Sequence, residues 1–303
     1  MSNYAICSRD LTKIYSGRPA VDHVSLHVPD GSIYGFVGEN GSGKTTIIRL
    51  LMGLIRPNAG DYDLYDVNFK DKNIHQVRAN VSAIVEAPSL VPSMDAYQNI
   101  KYACMYYGIE PTKELINKTL EDVGLHEVGK KKVKNFSLGM RQRMGIAILL
   151  LNNPKLMLLD EPMNGLDPTG VAGLRDLIIS LNQKGITFLI SSHILSELEK
   201  VATHWGFISQ GKLLKEISSE ELALECKKSI EIAHHDLDAL EAAINKIGIK
   251  DYKRNPNFIR VYDEILPLDL LSKLKKEGLE IEHIKTIEVN VEEYYLSMIG
   301  GAR

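Results

Sequence analysis

The stretch Gly38-Glu39-Asn40-Gly41-Ser42-Gly43-Lys44-Thr45 constrains the fold of this chain more than any other. It fits G-x-x-x-x-G-K-[ST], the phosphate-binding P-loop, and the flanks suit it. Ser32-Ile33-Tyr34-Gly35-Phe36-Val37 before it is strand-like, and Thr46-Ile47-Ile48-Arg49-Leu50-Leu51 after it reads as a helix. A strand, a glycine loop and a helix N-terminus aim a row of backbone N–H groups at one point, which suits an anion. Lys44 is expected to reach β- and γ-phosphates, and the Thr45 hydroxyl to hold Mg²⁺. The candidate nucleotide contacts are Gly38, Asn40, Gly41, Ser42, Gly43, Lys44, Thr45 and Thr46.

Three further segments carry chemistry. Leu156-Met157-Leu158-Leu159-Asp160-Glu161 is a strand apolar on both faces, as in the middle of a mainly parallel sheet, and ends in two acids. The carboxyl end of such a strand is where open α/β sheets bind ligands. Asp160 there can support Mg²⁺, and Glu161 can orient an attacking water. Phe136-Ser137-Leu138-Gly139-Met140-Arg141-Gln142-Arg143 precedes an apolar helix, Met144 to Leu151, with Ser137 as its N-cap. Pro162-Met163-Asn164-Gly165-Leu166-Asp167-Pro168 is a tight turn before a helix from Gly170 to Leu181. The strand Ile186 to Ser192 then delivers His193 to the edge that carries Asp160 and Glu161.

Around these segments the pattern is that of an α/β domain. Ala5-Ile6-Cys7 and Val24 to Val28 alternate like strands, and Tyr15 is read as part of a loop between them. Val81 to Val85 is a strand that ends at Glu86. From Ala96 to about Val128 the spacing is helical, with Ile100, Ala103 and Met105-Tyr106 near one face. Trp205 to Leu214 reads as a hairpin around Gln210-Gly211. A net charge of −3 gives no electrostatic case for nucleic acid. Cys7, Cys104 and Cys226 lack metal or redox spacing and are read as free thiols. Met1 to Ala5 shows no signal peptide, and Met144 to Leu151 is shorter than the ~20 residues needed to span a bilayer.

Taken in order, these motifs resemble the ATP-binding cassette (ABC) ATPases over about residues 4 to 216. The resemblance implies an ABC-type nucleotide-binding domain, with a mainly parallel sheet, an antiparallel sheet and a helical subdomain. It implies Mg²⁺-dependent ATP hydrolysis, with Lys44, Glu161 and His193 catalytic and His193 as the switch histidine. Thr45, Glu86 and Asp160 would serve the metal, and Tyr15 would stack on adenine. Ser137 and Gly139 would bind the γ-phosphate of a nucleotide held by the opposite subunit, and Asp167 would link the two subunits. Phe136, Leu138 and Met140 depart from the Leu, Gly and Gln of the family signature L-S-G-G-Q-x-Q-R. Glu86 stands where the family has a glutamine; a carboxylate lacks the amide donors but still ligates metal.

Val85-Glu86-Ala87-Pro88 with Ser137 to Arg143 resembles one branch, the bacitracin-resistance and lantibiotic self-immunity exporters. That branch implies the energy subunit of an exporter for an antimicrobial peptide or drug. The ATPase chains would pair as a homo- or heterodimer on separate integral-membrane permease subunits. Its place would be cytoplasmic, peripheral on the inner face of the cell membrane. Two rivals are a soluble ABC ATPase acting on ribosomes or DNA, and a module that binds ATP without hydrolysing it. The first usually carries two cassettes or a long coiled-coil insertion, which this sequence lacks; the intact Glu161 and His193 argue against the second.

The ATPase domain is assigned to residues 1–217, with its helical subdomain at about 87–153, and an accessory domain to 218–303. In the tail, alternation at Ser229–Ala233, Phe258–Tyr262 and Leu279–Ile284, a strand near Ile249–Tyr252 and two helical stretches give β-α-β-β-α-β, a ferredoxin-like α+β order. A last strand–helix piece runs from Ile287 to Ile299, and His234-His235 is read as a solvated loop.

Overall fold

The fold was analysed in a computed structural model that describes residues 3–226, 229–263, 265–287 and 290–300. Met1, Ser2, Glu288 and Val289, which entered the readings of the two ends, lie outside the described residues. The chain divides into two compact units, Met1–Ser219 and Glu220–Arg303.

The first unit begins with β1 (Tyr4–Tyr15), β2 (Arg18–Val24), β3 (His27–Pro29) and β4 (Ile33–Val37). There follow α1 (Lys44–Leu51), β5 (Ala59–Leu64), β6 (Val67–Asn68), α2 (Ile74–Arg78) and β7 (Val81–Ile84). The helical insertion is α3 (Ala96–Tyr107), α4 (Lys113–Asp122) and α5 (Leu138–Leu150). Then come β8 (Leu156–Asp160), α6 (Pro168–Gln183), β9 (Thr187–Ser192), α7 (Leu195–Leu198), β10 (His204–Ser209) and β11 (Lys212–Ser218).

Two sheets result. The larger has the order β11-β10-β4-β9-β8-β7, parallel except for the β10–β11 hairpin. Its central strands β4, β8 and β9 are buried at every residue, which is why they read as continuous apolar runs. The smaller sheet, β2-β1-β5-β6 with β3 beside β1, is antiparallel. Helix α1 shares one apolar core with both: Ile47, Ile48 and Leu51 lie among Ile6, Val24, Phe36 and Leu158. The fully buried Tyr34 satisfies its hydroxyl by donating to Glu216 Oε1 at 2.6 Å. Burial, then the Glu216 charge, push its pKa well up.

Several expectations shift. Tyr15 ends strand β1 rather than lying in a loop, and the alternation at Val24–Val28 is broken, since β2 ends at Val24 and pairing resumes at His27. Met105 and Tyr106 are exposed, at 65% and 79%, and do not share the buried face of Ile100 and Ala103. The β10–β11 turn, with φ of 48° at Gln210 and 80° at Gly211, is a two-residue loop of primed type.

In the second unit α8 (Ser219–Glu225) starts at the boundary. It is followed by β12 (Ser229–Ala233), α9 (Leu237–Lys246), β13 (Tyr252–Arg254), β14 (Ile259–Val261), α10 (Pro267–Lys276), β15 (His283–Ile287) and α11 (Val291–Gly300). The sheet order β13-β14-β12-β15, antiparallel throughout, is the ferredoxin-like arrangement. Leu240 and Ile244 of α9 and Leu270 and Leu274 of α10 pack on Ile230, Ile232, Ile259 and Val261. The fourth strand starts at His283, later than the alternation at Leu279–Ile284 suggests, while Leu279, Ile281 and Ile284 pack on this core. His234 is buried and bonded to the Asp236 backbone, not solvated.

Candidate functional site

Strand β4 delivers the chain to Gly38, and α1 takes it away from Lys44. Between them the backbone is shaped by positions that exclude side chains. Gly43, the N-cap of α1, has φ of 108°, and a Cβ there would sit 2.5 Å from the Ala20 carbonyl. A Cβ on Gly38 would meet Ser42 Oγ at 2.4 Å and Ile208 O at 2.5 Å. Ser42 Oγ is buried without a hydrogen-bond partner, so the cradle contains an unsatisfied polar atom suited to a polar ligand.

Lys44 is 5% exposed. Its Nζ donates to the carbonyls of Gly38 (2.6 Å) and Glu39 (3.1 Å) and lies 3.3 Å from Glu161 Oε1. That last contact is ionic only, since Glu161 Oε1 has no partner in hydrogen-bond geometry. Three oxygens therefore surround an ammonium that has three donors, and a triphosphate entering the cradle would take over from them.

Asp160 ends β8 beside Ser191 of β9, and the parallel register pairs the two residues. Ser191 Oγ donates to Asp160 Oδ1 at 2.5 Å, and Thr45 Oγ1 donates to Oδ2 at 2.7 Å. Glu161, one residue on, holds φ of 49°, and its N–H bonds both O and Oγ of Ser191 at 3.1 Å. This bend carries its carboxylate to His193, whose Nδ1 lies 2.8 Å from Oε2. Lys44, Thr45, Asp160, Glu161 and His193 thus form one contiguous cluster. Ser191 is the member that the sequence reading placed only in a strand; its signal is the β8–β9 register, which no local pattern contains.

The other candidates lie apart. Tyr15 is 44% exposed with the Lys13 ammonium 5.3 Å from its ring centre. Ser137 caps α5 by accepting from Met140 N–H at 3.2 Å, and Asp167 caps α6 by accepting from Gly170 N–H at 3.2 Å. Gly139 packs beside Gly170: a Cβ on it would be 3.3 Å from that Cα. Leu138 is an ordinary helical residue whose side chain lies against Gly165, so this position does not need glycine. Glu86 does not join Thr45 and Asp160; its Oε1 accepts from Arg49 Nη2 at 2.5 Å. Among the described residues no group of three acids, histidines or cysteines is placed to hold a metal. Thr45 and Asp160 alone offer oxygens that fit a Mg²⁺ completed by phosphates and water. A cleft of ≈ 600 Å³ opens beside them, bounded by Glu86, Leu138, Arg141, Gln142, Asp160, Glu161 and neighbours.

Comparison with known proteins agrees with this geometry. Residues 21–164 match the family described as ABC transporter. The chain is 41% identical over 300 residues to the bacitracin transport ATP-binding protein BcrA of Bacillus licheniformis, covering 98% of this chain and 97% of that one. It is 40% identical over 208 residues to the lantibiotic transport ATP-binding protein SrtF of Streptococcus pyogenes, covering 69% and 88%. The structure of CbiO1 from Clostridium perfringens, part of the transporter complex cbiONQ, superposes with a TM-score of 0.66 at 24% identity, over 74% of this chain and 92% of that one. With a phosphate cradle, a paired Thr45–Asp160 and a Glu161–His193 contact on one cassette fold, the chain belongs to the ATP-binding subunits of ABC transporters and is an ATPase.

Proposed function

We propose that the chain powers export of an antimicrobial peptide or drug of the bacitracin or lantibiotic type, working on separate membrane permease subunits at the inner face of the cell membrane. The observation that carries this reading is the 41% identity to a bacitracin transport ATP-binding protein across nearly the whole of both chains, the second unit included. No helix among the described residues is long and apolar enough to cross a membrane. The docking surface for the permease subunits is the groove on the insertion lined by Ser89, Val91, Asn99, Tyr102, Tyr106 and Ile148. The rival reading, action on ribosomes or DNA, has no feature of the site in its favour.

In the catalytic step, N–H groups of Gly41 to Thr45, the Ser42 hydroxyl and Lys44 hold the phosphates of ATP. Thr45 and Asp160 would hold Mg²⁺, which would supply positive charge against the phosphates. Glu161 takes up the proton side of an attacking water, and His193 orients the Glu161 carboxylate through its Nδ1 contact. Tyr15 supplies the adenine platform. Ser137, Gly139 and Asp167 act on the nucleotide of a second chain.

Glu161→Gln tests the site: turnover falls by about 10²-fold or more, as for loss of a positioned acid–base group, while ATP still drives dimer formation in light scattering. Normal turnover in that variant would overturn the assignment. Mild detergent purification from native cells tests the transport reading. Polytopic membrane proteins are expected in stoichiometric amount; ribosomes or nucleic acid in their place would overturn it.

A further inference from the structure

Arg49 lies on α1, the helix that begins at the phosphate loop. Its guanidinium pairs with Glu86 at 2.5 Å, the two side chains being 39% and 70% exposed. Glu86 follows β7 and holds φ of 67°, a conformation that a glutamate keeps only where its surroundings impose it. Two residues on, Pro88 lies against α5, the helix capped by Ser137. A Cβ on Gly145 of that helix would come within 2.6 Å of Pro88 Cβ, so this close approach needs glycine. Phosphate-loop helix, Arg49, Glu86, Pro88 and α5 are therefore in continuous contact. Glu86 also borders the cleft that Thr45, Asp160 and Glu161 line, where a third uncompensated carboxylate would repel the other two.

We propose that Arg49 is the positioning residue for Glu86. The ion pair draws the Glu86 charge off the Thr45–Asp160 pair and ties the root of the helical insertion to the phosphate-loop helix. An uncharged side chain at position 86 would need no such cation; the glutamate makes Arg49 necessary. This rests on the reading of Thr45 and Asp160 as the nucleotide site, whose cleft Glu86 borders. The planar guanidinium suits a carboxylate, and the exposure of both partners makes the tie sensitive to salt.

The test uses the full chain without nucleotide and follows amide hydrogen exchange of residues 84–92. Arg49→Met keeps the stem and removes the charge. Exchange at 85–89 is expected to quicken by up to about fivefold, to quicken likewise in wild type at high salt, and to be partly restored by Arg49→Lys. In a Glu86→Gln background, Arg49→Met should change neither exchange nor the KM for Mg·ATP by more than about twofold, because no charge remains to hold. Unchanged exchange in a normally melting Arg49→Met protein would overturn the proposal. So would an Arg49→Met effect of equal size in the Glu86→Gln background. If Arg49→Met fails to fold, the salt series decides: wild type must respond to salt and Glu86→Gln must not. None of these readouts depends on a permease, so failure here is distinct from failure of the export reading.

Discussion

Ser191→Ala should damage this ATPase although Ser191 touches no phosphate. Its hydroxyl donates to Asp160 Oδ1 at 2.5 Å and accepts from Glu161 N–H at 3.1 Å, in a residue with no exposure. Glu161 N–H keeps the Ser191 carbonyl at 3.1 Å, so its loss is small. Asp160 Oδ1 loses a charge-assisted bond, at a cost of about 2–3 kcal/mol. For a unit of this size each kcal/mol moves the melting temperature by roughly 2–4 °C, so calorimetry should show a drop of about 4–12 °C. Asp160 also loses half of its fixation, and supports of this kind are worth about 10–100-fold in metal affinity. A Mg²⁺ titration of ATPase activity should shift by that factor, with kcat at saturating Mg²⁺ changed less. A melting temperature within 1 °C of wild type, or an unmoved Mg²⁺ midpoint, would mean that Asp160 is positioned by something other than this bond.

Three more predictions follow from single contacts. Lys44→Ala should weaken binding of a fluorescent ATP analogue by about 2–4 kcal/mol, read by titration, because it removes the cation in the cradle. Asp167→Ala removes the α6 cap and should cost about 1 kcal/mol in urea unfolding, well beyond the effect of a change at exposed Asp176. The hydrogen bond from Arg9, then against it some burial, holds Asp63 below its ordinary carboxylate value. Its contribution is therefore complete above that ordinary value and disappears as pH falls through the lowered one; the urea midpoint should fall further between pH 5 and pH 3 in wild type than in Arg9→Met.

The parts of the site that are contiguous in the chain were legible in the sequence. Gly38 to Thr45 encodes strand end, loop and helix start in one stretch, and Asp160-Glu161 closes an unmistakable buried strand. What needed a partner from elsewhere was not. Ser191 meets Asp160 only because β8 and β9 are neighbours in register, and Arg49 meets Glu86 across 37 positions. Tyr15 reads as a loop residue because register shifts in β1 interrupt its alternation between Leu11 and Ile14. In the second unit the element order is readable but the start of the fourth strand is not, because Leu279 and Ile281 fill the core without belonging to a strand.

The strand order of the larger sheet has a consequence for synthesis. Strand β4, buried at all of its residues Ile33 to Val37, has β9 and β10 as its neighbours in the sheet, and these start at Thr187 and His204. At ribosomal rates of about 5–20 residues per second, its first neighbour emerges roughly 10–30 s later. During that interval the nascent chain carries an apolar strand with two open edges beside an unfinished phosphate loop. A growing chain of this kind is a client for holding factors at the exit tunnel, and a pause placed before β9 would lengthen its exposure more than one placed after β10.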